Sequence, residues 1–185
     1  MVVAAASIII DQITKLLVVQ NLTLGEVVPV VGDLIQFHFV KNSGAAFSIG
    51  NAYTWIFSIL AAAVTVFIIW FARRIRSYAW ATVFGLLLGG TIGNLIDRLF
   101  KEPGFGIGHV VDFITIPLLP AIFNLADVSI TAAMVLFLIL TIRGVGLDGT
   151  RAVAQPKPSA ESASAESAPA EPAAEKSPED HSEQA

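Results

Sequence analysis

Four apolar stretches set the pattern of this chain: Met1 to Val19, Tyr53 to Phe71, Tyr78 to Ile96 and Ala121 to Ile142. A hydrocarbon core about 30 Å thick needs about 20 helical residues to cross it, so each is long enough for one transmembrane helix. Between the first two the period changes. Val27 to Val31 is β-branched, Leu34 to Val40 alternates, and Gly32-Asp33 supplies turn material between them. This predicts a small antiparallel β-cradle within residues 22–49, resting on the membrane. From Gly144 the chain turns to Ala, Ser, Pro and Glu. Such a segment cannot bury enough apolar surface to offset its ordering entropy, which predicts a disordered tail over 144–185. The expected fold is therefore an all-α polytopic membrane protein, with a membrane domain over residues 1–143.

Composition agrees. The chain is 55% hydrophobic and 14% charged, against about 25% charged residues in an ordinary soluble domain. It has no cysteine, which excludes disulfides, a thiol nucleophile and thiolate metal sites. The net charge of −4 belongs to the tail, since the first 150 residues hold eight acids and eight bases. Nothing points to a nucleic-acid partner. Arg73, Arg74 and Arg76 lie between the second and third stretches, and Arg143 follows the fourth. The positive-inside bias makes these ends cytoplasmic, and both termini with them. Residues 20–52 and 97–120 then face the extracytoplasmic side.

Polar residues inside the apolar stretches are the candidate chemistry, because an ionisable group there costs roughly 3 kcal/mol by insertion scales. Asp11 and Lys15 sit mid-way along the first stretch, four apart, so they share a helix face and can pair. Only ten residues precede Asp11. Either the start lies upstream of Met1, or the helix is short and the bilayer thins around it. Without a basic n-region or a clear cleavage site, a signal peptide is disfavoured. The third stretch carries Gly85, Gly89 and Gly93 on one face, which packing alone would explain. It continues into Asn94, Asp97 and Arg98, which could be simple interfacial groups. The fourth opens with Asn124 and Asp127, i and i+3 on one face, placing Asp127 about 8 Å inside the helix. A buried aspartate can also serve as a hydrogen bonder in a helix bundle. Asp112 lies between the third and fourth stretches.

Three carboxylates and two amides converging on one membrane face are hard to explain by packing. Amide hydrolysis without a metal or covalent nucleophile needs one group to take a proton from water and another to give one to the carbonyl oxygen. Two close carboxylates share a proton and can do both. His38 and His109 have no ligand spacing around them, so no metal site is expected. Lys41 near Ser43 keeps a Ser–Lys arrangement open. A proton-coupled carrier using Asp97, Asp112 and Asp127 as a relay is the alternative from another class. A non-enzymatic membrane assembly factor is a third.

Five blocks in order carry a resemblance. They are Asp11-Gln-Ile-Thr-Lys15, Asn42-Ser-Gly-Ala-Ala-Phe47, Gly89-Gly-Thr-Ile-Gly-Asn-Leu-Ile-Asp-Arg98, Val110-Val-Asp-Phe-Ile114 and Phe123-Asn-Leu-Ala-Asp127. The chain resembles the lipoprotein signal peptidase family, signal peptidase II of bacteria. The acidic tail departs from its usual pattern. The resemblance implies four transmembrane helices with a β-cradle on the outer face. It also implies an aspartic peptidase that removes signal peptides from diacylglyceryl-modified prolipoproteins, on the N-terminal side of the lipidated cysteine, without a cofactor. Carried over by motif, Asp112 and Asp127 are catalytic. Asn42, Gly44, Asn94, Arg98, Asn124, Asp11 and Lys15 support them, and Asp97 is given a structural ion pair to Arg98 or Lys15. Gly44 to Phe47 and the cradle are expected to clamp the substrate. The signal helix is expected to pack on the glycines of the third stretch, and the diacylglyceryl chains to stay in membrane lipid. The expected setting is the bacterial cytoplasmic membrane, with the site near its extracytoplasmic face and the enzyme a monomer.

Overall fold

A computed structural model describes residues 1–44 and 54–151. The elements in chain order are α1 (Val2–Asn21), β1 (Val27–Val31), β2 (Ile35–Asn42), α2 (Thr54–Ala72), α3 (Tyr78–Phe100), β3 (Val110–Thr115), β4 (Ile122–Phe123) and α4 (Leu125–Ile142). All four helices are long and apolar enough to cross a membrane. Their outer faces expose large apolar side chains, among them Ile9, Ile13, Val66, Phe67 and Leu138. That suits a lipid solvent.

α3 is the central helix and packs against α1, α2 and α4. Its glycines are what allow this. A Cβ at Gly85 would meet Val3 of α1 at 2.9 Å, and one at Gly89 would meet Ser7 at 2.5 Å. A Cβ at Gly93 would lie 2.6 Å from the Asp11 carboxylate, and one at Gly90 would overlap the Ala126 carbonyl of α4. The expected place for a substrate helix on Gly85, Gly89 and Gly93 is therefore taken by α1. Small side chains let two backbones approach, and the chain's own first helix uses that approach.

The cradle has four antiparallel strands in the order β1-β2-β3-β4. β2 pairs with β3 through Val40 opposite Asp112 and Asn42 opposite Val110. Val18 of α1, Phe39 of β2, and Val111 and Phe113 of β3 form the apolar seam between the sheet and the upper half of α1. The sheet thus extends beyond the expected residues 22–49 to include the strand that carries Asp112. The fourth helix also starts later than Ala121, because Ile122 and Phe123 pair with Thr115 and Ile114.

At the opposite end, Met1 and Arg73 line one hollow with Gly85. The chain does not leave the fold at Gly144, where the sequence suggests the tail begins. Val145 and Leu147 pack with Trp80 and Leu140. Trp80 Nε1 donates to the Val145 carbonyl at 2.9 Å, and the Arg76 and Ser77 amides donate to the Leu147 carbonyl. Two apolar side chains in a polar segment are enough to hold it to the helix ends. The remainder of the expected tail lies outside the described residues.

Candidate active site

Asp112 and Asp127 come from different elements. Asp112 is on β3 and 2% exposed. Asp127 is in the first turn of α4, nearer the helix start than the segment boundaries suggest, because Asn124 is the N-cap. Asn124 Oδ1 accepts from the Asp127 amide at 3.1 Å, and Asp127 Oδ2 accepts from the Asn124 amide at 3.1 Å. This reciprocal capping box satisfies two helix-terminal N–H groups and pins the Asp127 side chain.

Those bonds dictate the next ones. With Oδ1 held by a backbone donor, Asn124 presents its Nδ2, which donates to Asp112 Oδ1 at 2.6 Å and to Asn94 Oδ1 at 3.1 Å. Lys15 also donates to Asn94 Oδ1, at 2.9 Å. An ammonium has no acceptor, so Asn94 must turn its oxygen to Lys15. Its Nδ2 then donates to Asp127 Oδ1 at 2.9 Å. On the other flank Asn42 Oδ1 accepts from the Gly44 amide at 2.8 Å, and Asn42 Nδ2 donates to Asp112 Oδ2 at 2.7 Å. Every oxygen of the two carboxylates receives an N–H, and none of those donors is charged. Burial pushes the Asp112 carboxyl up, and the charge of Asp127 adds to this. The amide bonds from Asn42 and Asn124 and the charge of Lys15 pull it back down, leaving it at about 6.

Beneath this pair lies a second, ionic cluster. Lys15 Nζ is 2.9 Å from Asp11 and 3.0 Å from Asp97, and all three side chains are fully buried. With Asn94 as the third acceptor, every ammonium N–H is used. Asp11 Oδ1 accepts from the Ala126 amide of α4 at 2.9 Å, another N–H left unpaired by the helix start. Asp97 Oδ2 accepts from the Val111 amide at 3.1 Å, beside Asp112 in sequence. Its Oδ1 meets Lys101 at 2.8 Å and Gln12 at 3.3 Å. The cluster therefore binds α1, α3, β3 and α4 at one level. The position of Asp11, mid-way along α1, follows: α1 runs on past the start of α4 to carry the sheet. A buried ion pair is costly unless its oxygens and protons find partners, and here each carboxylate oxygen and each ammonium proton has at least one.

Comparison with known proteins gives the family. The family description "Signal peptidase (SPase) II" matches residues 3–143. The chain belongs to the signal peptidase II family. A lipoprotein signal peptidase of Leifsonia xyli is 65% identical over 150 residues, covering 81% of this chain and 69% of that one. One of Streptomyces coelicolor is 47% identical over 148 residues, covering 80% and 72%. A solved bacterial membrane enzyme matches with a TM-score of 0.68 at 25% identity, covering 82% of this chain and 92% of that one. The protein is thus a multi-pass membrane peptidase of a family that removes signal peptides from prolipoproteins.

Within this signal peptidase, the expected ion pair of Asp97 with Arg98 or Lys15 is met by Lys15. Arg98 does not pair with Asp97. It lies over the Phe57 ring at 5.3 Å and points Nη1 at the Ser43 carbonyl, 3.5 Å away. Asp97 has Lys15 and Lys101 instead, and the guanidinium is left to face the start of the β2–α2 connection. Lys41, the base of the Ser–Lys arrangement, is held by Glu102 at 2.8 Å. Gly44 has φ +96, and a Cβ there would meet Phe57 at 2.7 Å and Arg98 at 3.1 Å. Its place in the site is therefore steric as well as conformational. Ala45, Ala46 and Phe47 of the expected clamp lie outside the described residues. Three contributors escaped the sequence reading. Gln12 and Lys101 hold Asp97, and Phe57 supports Arg98. Lys101 could have been found as the i+4 partner of Asp97; the other two carry no local signal.

Proposed function

We propose that Asp112 and Asp127 are the catalytic pair of an aspartic peptidase. It cleaves diacylglyceryl-modified prolipoproteins on the N-terminal side of the lipidated cysteine. The observation that carries this is the contrast in partners: Asp11 and Asp97 are paired with ammonium groups, whereas Asp112 and Asp127 are oriented by neutral amides.

The roles follow from position. Asp127 sits at a helix start, where the aligned peptide dipoles favour negative charge. It is the base that takes a proton from water as the water oxygen attacks the scissile carbonyl carbon. Asp112, with its raised pKa, is the acid that protonates the carbonyl oxygen. In the second step Asp127 returns its proton to the leaving nitrogen. Asp112 takes one back from a hydroxyl of the tetrahedral intermediate as the C–N bond breaks. Asn94, Asn124 and Asn42 hold the carboxylates in register, and Arg98 anchors the chain leading away from Asn42.

The basic ends at Arg73, Arg74, Arg76 and Arg143 support a cytoplasmic location for both termini. The site then lies toward the extracytoplasmic face of the cytoplasmic membrane. A monomer keeps the lipid-facing flanks open to a lipid-anchored substrate, whose diacylglyceryl chains remain in the bilayer. The Asn42–Gly44 turn supports a clamp above the site. A proton-relay carrier has less support, because among the described residues Asp11, Asp97, Asp112 and Asp127 gather at one level, while apolar clusters around Trp80, Val83, Ile68 and Leu88 lie toward the basic end.

The test is cleavage of a diacylglyceryl-modified prolipoprotein by purified protein, beside Asp127→Asn and an unlipidated substrate. Release of signal peptide only from the lipidated substrate, and only by the unsubstituted protein, is expected. Equal turnover by Asp127→Asn would remove the mechanism.

A further inference from the structure

A cleft of about 600 Å³ opens on the side of the molecule away from the catalytic pair. Val111 forms part of its wall, and Asp112, the next residue along the strand, points to the opposite face of the sheet. Leu16, Val19 and Phe100 also line it. These three remain 54%, 46% and 73% exposed, so the apolar wall continues into the lipid-facing surface of α1. Lys41, Lys101 and His109 add donors to its lining, while the side-chain amide of Gln12 is spent on Asp11, Gly93 and Asp97. Among the described residues each lysine is in one ion pair, Lys41 with Glu102 and Lys101 with Asp97, and their side chains stay 38% and 31% exposed. Each ammonium therefore has N–H groups to spare toward the cleft. The acid in the lining, Glu102, is 82% exposed.

We propose that this cleft is a binding site for a membrane phospholipid, distinct from the peptidase site. The phosphodiester takes the donors of Lys41, Lys101 and His109, and the acyl chains lie along Leu16, Val19 and Phe100. Three features select this occupant. The apolar wall is open toward lipid and does not close into a pocket. The spare donors come from β2, the end of α3 and the chain just before β3, at the level where α1 and α3 meet the sheet. The exposed Phe100 ring, in edge contact with Phe105 at 6.2 Å, is the kind of aromatic found at a membrane interface. Basic residues at the mouth of an inter-helix cleft bind phospholipid headgroups by this combination of charge and greasy wall. The bound phosphate would also touch the outer end of the hydrogen-bond chain that runs through Lys101, Asp97, Lys15 and Asn94 to Asp127.

The experiment is native mass spectrometry of the delipidated full-length protein titrated with dioleoyl phosphatidylglycerol, alongside dioleoylglycerol, which has the same chains and no phosphate. One phosphatidylglycerol is expected per chain, held at least about tenfold more tightly than dioleoylglycerol and not displaced by inorganic phosphate. Leu16→Trp, which fills the cleft from an exposed helix position, and Lys41→Glu paired with Glu102→Lys, which keeps the ion pair but moves the cation outward, should each weaken binding at least about tenfold. Equal binding by all three proteins, equal binding of dioleoylglycerol, or displacement by inorganic phosphate would overturn the proposal. The readout is binding, so it is independent of the assigned peptidase chemistry.

Discussion

Asp112→Asn separates the cost of keeping the proposed catalytic carboxyl buried from the benefit of the bonds around it. The folded protein holds this carboxyl at about 6 against an ordinary 3.8. Its folded form therefore keeps the proton more tightly than the unfolded chain does. Stability is full below the unfolded value and is lost as pH rises through the folded one. A shift of roughly two units, at about 1.4 kcal/mol each, amounts to about 3 kcal/mol lost between about pH 4 and pH 7. Asparagine cannot ionise and removes that loss. It also brings a cost. Asp112 accepts from Asn124 Nδ2 and from Asn42 Nδ2, so one of those amides would face an NH₂ instead. Asn42 could turn only by releasing the Gly44 amide, which costs about 1 kcal/mol. The substituted protein should thus be less stable by about 1 kcal/mol near pH 4, and more stable by about 2 kcal/mol near pH 8. At about 2–4 °C per kcal/mol, the difference in melting temperature swings by about 6–12 °C across that range and changes sign. Thermal unfolding in a mild detergent, run in parallel at several pH values, measures it. Parallel melting curves for the two proteins would show that Asp112 is not held against its charged form, and the acid role would fall with it.

The same carboxyl sets an alkaline limb. In its proposed role as the general acid it must be protonated, so kcat/KM should fall as pH rises above about 6, about tenfold per unit. A pH profile on lipidated substrate checks this, and a flat profile to pH 9 would count against it. Lys15→Met leaves Asp11 and Asp97 buried without their common cation, and it should cost about 3–5 kcal/mol in detergent unfolding. A loss under 1 kcal/mol would mean that the cluster is not ionised as described. Gly93→Ala places a methyl 2.6 Å from the Asp11 carboxylate and should lower stability by about 1–3 kcal/mol, while Gly104→Ala, with nothing nearer than 3.8 Å, should be neutral. Ending the chain after Arg143 strips Val145 from Trp80 Nε1 and Leu147 from its apolar cluster, and should lower the melting temperature by several degrees. Ending it after Arg151 should leave both stability and cleavage within twofold of the full chain.

The four helices are legible because length and apolar content alone settle them. What those properties cannot give is how one helix meets the next. The glycines at 85, 89 and 93 announce a close approach but not the partner, and the partner proved to be α1. β3 was hidden for a related reason. Val110 to Thr115 reads as apolar chain near two prolines, and its strand identity depends on pairing with β2, about seventy residues earlier. The Asn124 and Asp127 spacing was visible but ambiguous. Three residues apart, an amide and a carboxylate can share a helix face or close a capping box, and only the helix start decides which. That choice also parts Asn124 and Asp127 from the look-alike pair Asn94 and Asp97, which sits inside α3.

The carboxylates themselves were easy to find and hard to rank. Asp11, Asp97, Asp112 and Asp127 are all anomalous by the same transfer cost, so burial cannot say which of them does chemistry. Partners can. A cation stabilises the charged form and ties up the proton equilibrium, which suits a group that must never change state. An amide N–H orients a carboxylate and neutralises little of its charge, which suits one that must gain and lose a proton in each turnover. Lys15 serves both kinds at once. Two of its N–H groups neutralise Asp11 and Asp97, and the third fixes the amide that aims at Asp127. On that reading, Asn94→Asp should be worse for cleavage than Asn94→Ala. The new carboxylate would still bond Lys15 but would turn an acceptor, and a second negative charge, toward Asp127.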